Sequence, residues 1–589
     1  MYKYPLEEVR EIRDLRDMLK QSEALYGDRN AYLIKDPVAA RQIMPRSQEA
    51  LELKIDRKRP YLPVSFKQYA SDVRAFGSGL KALGVNTDSR VAILAETRYE
   101  WYVSYMAVVN GLAVVVPLDK EQPANEIVNL LKSSEADVLL FSKSKKDLVD
   151  SIRDQVPGVS HYIGFDLPGE TEDDLYFWDV LQEGQAVREG GDLSYDDLPI
   201  DPEAMQILLF TSGTTSNPKA VMLSHKNICK NLMGMCQMTY IDENDVFLSV
   251  LPLHHTYECT CGYLCQLYRG CCVAVCEGLR HIVPNMQEAK PSIVLVVPLM
   301  MEAFHRGIMK KVKADPKLEK KFNFGLKLTR GLRKVGIDPR RKIFDSVHEN
   351  FGGNLRLLIA GGAAIAPELM TDMQDLGFHC IQGYGLTECA PILALNRTHY
   401  YNNRSAGQPL PGVDIKILDP DENGIGEIAG RGDNVMLGYY KNEEATRAVI
   451  DDQGFFHTGD YGYLDENKFV IITGRKANMI VTKNGKNIFP EEIEFLLTQH
   501  PLIAEAVVSG KDKKDGDSLI HAEIFPDREA VDEDPDLLGL SLTHDKVKEK
   551  IQAVVKEVNS GLVHYKMIRS IDLRDNEFPK TTAKKIIRH

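Results

Sequence analysis

The chain has 589 residues, of which 43% are hydrophobic and 27% charged, and a formal net charge of −13. This length exceeds a single core and suggests about three or four units, while the acidic balance argues against a general nucleic-acid binder. The first twenty residues are charged throughout, with no apolar core of a secretory signal, and no run reaches the ~20 apolar residues that span a bilayer. A cytoplasmic protein is the expectation.

In chain order, Phe66, Tyr69, Val73, Phe76 and Leu80 recur at spacings of three and four, which predicts a helix within 65–90. A strand over 91–95, a helix over 101–110 and a strand over 113–116 follow, a βαβ rhythm. Further short apolar runs recur at 138–141, 207–210, 272–275, 293–297 and 355–360, several of them continuous in Val, Ile and Leu. Parallel sheets covered on both faces read this way. Six of the ten cysteines fall between Cys259 and Cys276, among apolar neighbours and without a C-x-x-C spacing. Buried free thiols in a reducing compartment are the expectation.

From Val413 the texture alternates, turns at Asp421–Gly424 and resumes at Gly426, as antiparallel hairpins do. Gly424, Gly426 and Gly430 do not have the dinucleotide-fingerprint spacing, and no helix follows them. A last unit from Gly474 carries predicted strands at 479–481, 506–509 and 521–525 and helices at 491–499 and 544–559. The acidic stretch 527–536 reads as a solvated loop.

Against this background several segments carry chemistry. The run 207–210 opens into Thr211-Ser212-Gly213-Thr214-Thr215, followed by Lys219. Hydroxyls and backbone N–H groups after a strand converge on one point and suit phosphate oxygens. The segment is not a Walker A loop, because Gly213 is its only glycine and Ala220 follows Lys219. In Gly383-Tyr384-Gly385-Leu386-Thr387-Glu388, glycines admit a flat ligand to the backbone, Tyr384 offers a face for a purine and Glu388 a hard oxygen for Mg²⁺. Gly361 and Gly362 follow a strand end, which leaves room for a ligand but equally fits a tight turn.

These segments resemble, in order and spacing over nearly the whole chain, the adenylate-forming superfamily: acyl-CoA synthetases, peptide-synthetase adenylation domains and beetle luciferase. The family form of the phosphate loop has Gly where this chain has Ser216 and Ala220. The resemblance implies an α/β fold: a large multi-subdomain part, 1–473, with βαβ-type sheets and a distorted antiparallel β-barrel, and a small mobile α+β lid, 474–589. It implies that Thr211 to Thr215 and Lys219 hold the phosphates, that Gly361 and Gly362 border adenine and the acyl tunnel, and that Gly383 lies at the nucleotide. Tyr384 would stack on adenine and Thr387 would meet the α-phosphate. Glu388, with Thr211, would hold Mg²⁺, and Asp460 and Arg475 would bind the ribose. It implies that His255, in the segment 251–258, helps to gate the acyl site. The terminal catalytic lysine falls on Lys585, with Lys584 beside it in place of the usual Gly. The hinge position is Ala477, where relatives carry Asp or Lys.

The segments 254–258 and 482–494 look most like bacterial long-chain fatty acid–CoA ligases, as does the basic stretch 310–342. The implied reaction joins a fatty acid to CoA through acyl-AMP, with Mg²⁺ as cofactor and ATP, CoA and fatty acid as partners. A homodimer is a further expectation, and the basic stretch 310–342 reads either as a solvated helical face or as a contact for CoA phosphates or for the anionic inner face of a membrane. The alternatives are a fatty acyl-AMP ligase that loads a carrier protein and a CoA ligase for aryl or bile acids.

Overall fold

The computed structural model describes residues 4–35, 61–166, 174–211, 218–481, 487–512, 518–580 and 586–588. Packing groups the chain into two units, 1–414 with 431–454 and 415–430 with 455–589. That is fewer than length suggests, because the first unit carries both large sheets, each with an apolar cluster of its own.

In the first of these sheets the strands His379–Gly385, Leu357–Ala360, Ile293–Val296, Val246–Ser249, Cys272–Val275 and Asn30–Ile34 lie side by side. All of these neighbours are parallel. Antiparallel strands flank them, Ile392–Leu395 and Gln408–Pro409 at one edge and Leu62–Ser65 at the other. The second sheet runs Gly438–Tyr439, Lys219–Ser224, Met205–Thr211, Val114–Pro117, Arg90–Leu94, Val138–Phe141, His161–Gly164 and Leu175–Tyr176. Its central strands are parallel, and Lys219–Ser224 turns back against Met205–Thr211. Every residue of Val114–Pro117, Val138–Phe141, Ile293–Val296 and Leu357–Ala360 is buried. Helices cover both faces, so no polar alternation survives in these strands.

The predicted first helix is Phe66–Ala82, started by Ser65, whose hydroxyl accepts from the Gln68 N–H. Its five-residue apolar stripe is fully buried. An aromatic cluster ties strand Asn30–Ile34 of the first sheet to helices Phe66–Ala82 and Tyr99–Val109. Tyr32 packs on Tyr69 and Tyr102 with ring centroids 5.0 and 4.8 Å apart. The Tyr102 hydroxyl donates to Ser249 Oγ at 3.0 Å, and the Tyr69 and Tyr263 hydroxyls lie 2.7 Å apart. Such ring pairs add roughly 0.5–1.5 kcal/mol each beyond the area they bury. All ten cysteines are buried free thiols, and Cys236 and Cys265 bring their sulfurs to 3.7 Å.

In the second unit the expected antiparallel segment is a four-stranded sheet, Asp414–Leu418, Gly426–Arg431, Phe456–Leu464 and Val470–Arg475. Among the described residues no pairing closes it into a barrel. Farther along, the strands Ile503–Asp512, Ser518–Pro526 and Ser570–Leu573 form a sheet with helices Pro490–Thr498 and Asp545–Ser560, an α+β arrangement around Ile493, Leu497, Val547 and Ile551. The acidic stretch 527–536 is not a plain loop. Arg528–Glu533 is helical, because Asp527 caps the Ala530 N–H and Val531 is buried against the core. Among the described residues no helix is long and apolar enough to cross a membrane.

Candidate active site

The C-terminal ends of the parallel strands in the first sheet gather several of the expected residues. Val296 is in register with Ala360, and Ala360 with Gln382. Gly361 and Gly362 therefore continue from one strand end beside Gly383 and Tyr384 on the next. Open parallel sheets bind ligands at this edge.

The space left by two of the glycines is filled by the protein itself. A Cβ on Gly361 would come within 2.8 Å of the Tyr257 ring, and a Cβ on Gly385 within 1.8 Å of the Pro391 carbonyl oxygen. Gly385 is thus required by a turn, with the Leu386 N–H donating to that same carbonyl at 2.8 Å. This differs from the expected role of admitting a flat ligand. Gly383 faces Leu395, and Gly362 lies beside Val297. Tyr384 is 8% exposed. Thr387 and Glu388 sit on the single turn Thr387–Cys389.

The expected phosphate loop falls partly outside the described residues, which exclude Ser212, Gly213, Thr214 and Thr215. The strands that flank the loop are described. Thr211 and Lys219 are cross-strand partners, and the Thr211 hydroxyl donates to the Lys219 carbonyl at 3.4 Å. Both residues therefore stand at the mouth of the loop. The Lys219 ammonium lies 4.8 Å from the centroid of the Tyr439 ring. The Tyr439 hydroxyl donates to Glu388 Oε1 at 3.0 Å. Burial, and next the Glu388 carboxylate, push the Tyr439 hydroxyl well above its ordinary range, so it stays a neutral donor. Tyr439 was not anticipated from sequence. It links Lys219 to Glu388 across more than 150 residues of chain, and its only local signal is an aromatic pair with Tyr440.

Glu388 and Thr211 supply hard oxygen donors. Among the described residues no group of three His, Cys, Asp or Glu could cage a metal. A carboxylate and a hydroxyl are the kind of donor that suits Mg²⁺, which takes one or two carboxylates and keeps most of its waters.

His255 opens a run of helical backbone, with the Cys259 N–H donating to its carbonyl at 3.0 Å. Its ring packs against His254 at 4.1 Å between centroids. Burial, followed by His255, holds His254 at about 3, although Asp119 lies 3.7 Å away. The segment Tyr257–Leu264 is a π-helix, an arrangement frequent at functional sites. It aims the Tyr257 hydroxyl at the Ile359 carbonyl, 2.7 Å away. It also places Glu258 in the interior, where Ser249 donates to Oε1 at 2.5 Å and Oε2 has no hydrogen-bond partner among the described residues. Burial raises the Glu258 carboxyl to about 8, so it holds a proton at neutral pH.

In the second unit Asp460 and Arg475 are cross-strand partners, with Arg475 Nε 3.0 Å from Asp460 Oδ1. Asp460 is 5% exposed. The preceding turn is held by Glu427, which accepts from the Gly459 N–H at 3.1 Å and pairs with Lys476 at 3.0 Å. That hydrogen bond raises Lys476 above its ordinary range. Glu427 was also missed, since Gly426-Glu427 reads only as the start of a hairpin strand. Ala477 lies in the single turn Lys476–Asn478.

Lys584 and Lys585 lie outside the described residues, but both flanks are anchored. Lys580 pairs with Glu505 and Glu577 and bridges Ile586, while Arg588 pairs with Glu494.

Comparison with known proteins agrees with this geometry. The AMP-binding enzyme family matches residues 47–440, and the AMP-binding enzyme C-terminal domain matches residues 477–589. A long-chain-fatty-acid–CoA ligase, FadD15 of Mycobacterium tuberculosis, is 28% identical over 544 residues, covering 88% of each chain. A chloroplastic long-chain-fatty-acid–[acyl-carrier-protein] ligase, AEE15 of Arabidopsis thaliana, is 25% identical over 80% of this chain and 73% of its own. Among solved structures, the anthranilate CoA ligase AuaEII in complex with anthranoyl-AMP superposes with a TM-score of 0.73 at 20% identity. The match covers 99% of this chain and 96% of that one.

Proposed function

The chain belongs to the AMP-binding enzyme family, and on that premise we propose that it is an AMP-forming acid–CoA ligase whose substrates are long-chain fatty acids. In the first step a carboxylate oxygen attacks the α-phosphorus of ATP, and pyrophosphate leaves. In the second, the CoA sulfur attacks the acyl carbon, AMP leaves with the bridging oxygen, and the thiol proton passes to solvent.

The observation that carries the adenylating half is the Lys219–Tyr439–Glu388 connection. It supports a reading in which a phosphate-facing cation and a metal-facing carboxylate are fixed by one neutral aromatic donor. Mg²⁺ held by Glu388 and Thr211 would neutralise charge on the triphosphate. Thr387 would approach the α-phosphate and Tyr384 the adenine. Asp460 would accept from the ribose hydroxyls, with Arg475 orienting it. Lys585 would stabilise the charge that develops at the α-phosphate. We take 1–473 and 474–589 as the working parts, with Ala477 at the hinge, since a hinge needs only to absorb a change in backbone angles.

The acid class rests on relatives such as FadD15. The AEE15 likeness supports a second reading, transfer to a carrier protein. A mixed panel of carboxylic acids with Mg·ATP, with and without CoA, separates the two by product mass spectrometry. Long-chain acyl-CoA formed only with CoA is expected. Acyl-AMP that accumulates untouched by CoA would favour the carrier protein. Dominant aryl-CoA products would overturn the acid class.

A further inference from the structure

The basic stretch foreseen over 310–342 holds thirteen Lys and Arg against three acidic residues in a chain whose net charge is −13. It folds mainly as the end of helix Pro298–Lys313 and the whole of helix Pro316–Arg333. The second helix is fixed from one side. Phe322, Gly325 and Thr329 are buried, and Arg330 and Arg333 pair with Asp375. Its outer side carries Lys317, Lys320, Lys321 and Lys327, none of which makes an ion pair with any described residue.

Large apolar side chains stand among these lysines. Phe324 is 67% exposed and Leu328 41%, one turn apart on the same side. Val335 and Ile337, also exposed, follow just past the helix end. Counting Leu318, five of the twenty large apolar residues exposed among the described residues fall within 318–337. A solvated helix would not concentrate apolar groups on its free side, and a site for phosphates alone would not need them. Interfacial helices combine both features: apolar groups enter the acyl boundary while lysines meet the headgroups.

We propose that this outer face of 316–337 docks the enzyme on an anionic lipid surface. Charge complementarity selects the occupant, because this segment is strongly cationic in an acidic protein and anionic leaflets attract such clusters. The preceding helix starts next to Val297, whose side chain a Cβ on Gly362 would meet at 3.7 Å. One helical hairpin therefore joins the docking face to the sheet edge described above.

The test uses the full chain in a flotation assay without ATP, CoA or acid, so its failure would leave the proposed reaction untouched. Vesicles of phosphatidylcholine alone are compared with an equal mixture of phosphatidylcholine and phosphatidylglycerol. Binding to the mixed vesicles only is expected, weakened by salt. Lys320→Glu with Lys327→Glu should weaken it by more than about tenfold, since each cation near such a surface is worth roughly fivefold. Phe324→Ser with Leu328→Ser should weaken it too, with the circular dichroism of both variants unchanged. Equal binding to both vesicle types, no binding, or insensitivity to the lysine changes would overturn the proposal. Insensitivity to the Phe324 and Leu328 changes would also overturn it, and would mark a site for phosphate groups alone.

Discussion

At the residue scale, Glu258 is the group whose ionisation the fold most clearly controls. Its carboxyl sits at about 8 because it is buried, against an ordinary value of 4.5. The folded chain therefore keeps a proton that the unfolded chain gives up above about 4.5. The stability from this group is complete below that pH and declines as pH rises towards 8. Glu258→Gln keeps the shape and removes the ionisation. Urea unfolding of both proteins across this range should show wild type losing ground to the variant by on the order of a few kcal/mol. A difference independent of pH would contradict the assignment. The paired differences also cancel the opposite trend from buried His225 and His379, which desolvation holds near 4. These resist protonation that the unfolded chain accepts below about 6.5.

Which of the expected residues stand side by side was legible in part. Asp460 and Arg475 do meet, and Thr211 and Lys219 do face each other. The residues that orient them were not. Tyr439 and Glu427 act through partners far away in sequence, so no local pattern marks them.

At the element scale, the parallel strands were legible because burial on both faces leaves continuous apolar runs. The short strands at 138–141 and 272–275 match residue for residue. The π-helix Tyr257–Leu264 was hidden, since its Cys-rich sequence looks like any buried segment. Its consequence appears only in three dimensions, where Tyr257 takes the space that Gly361 leaves. A Gly361→Ala side chain would press on that ring at 2.8 Å. Because the Tyr257 hydroxyl is tied to the Ile359 carbonyl, the ring cannot yield without losing that bond. Steady-state kinetics should show KM for the fatty acid raised by about tenfold or more, with KM for ATP changed far less. An equal rise in both would place Tyr257 away from the acid.

At the scale of the whole molecule, the α/β class was legible from the alternation of strand and helix patterns, but the number of packing units was not. Two sheets pack within the first unit, where the rings of Tyr32, Tyr69, Tyr102 and Tyr263 tie a strand of one sheet to the helical segments beside it, a union that length alone does not reveal. Charge is segregated in the same way. The cationic 310–342 was visible in sequence, whereas the apolar groups beside it became meaningful only once their exposure was known.

The central claim is that the acid is activated by bonding to the α-phosphate. A long-chain fatty acid labelled with ¹⁸O in both carboxylate oxygens, turned over with Mg·ATP and CoA, tests this directly. Mass spectrometry should find one ¹⁸O in AMP and none in pyrophosphate. Label in inorganic phosphate, or AMP without label, would contradict the account.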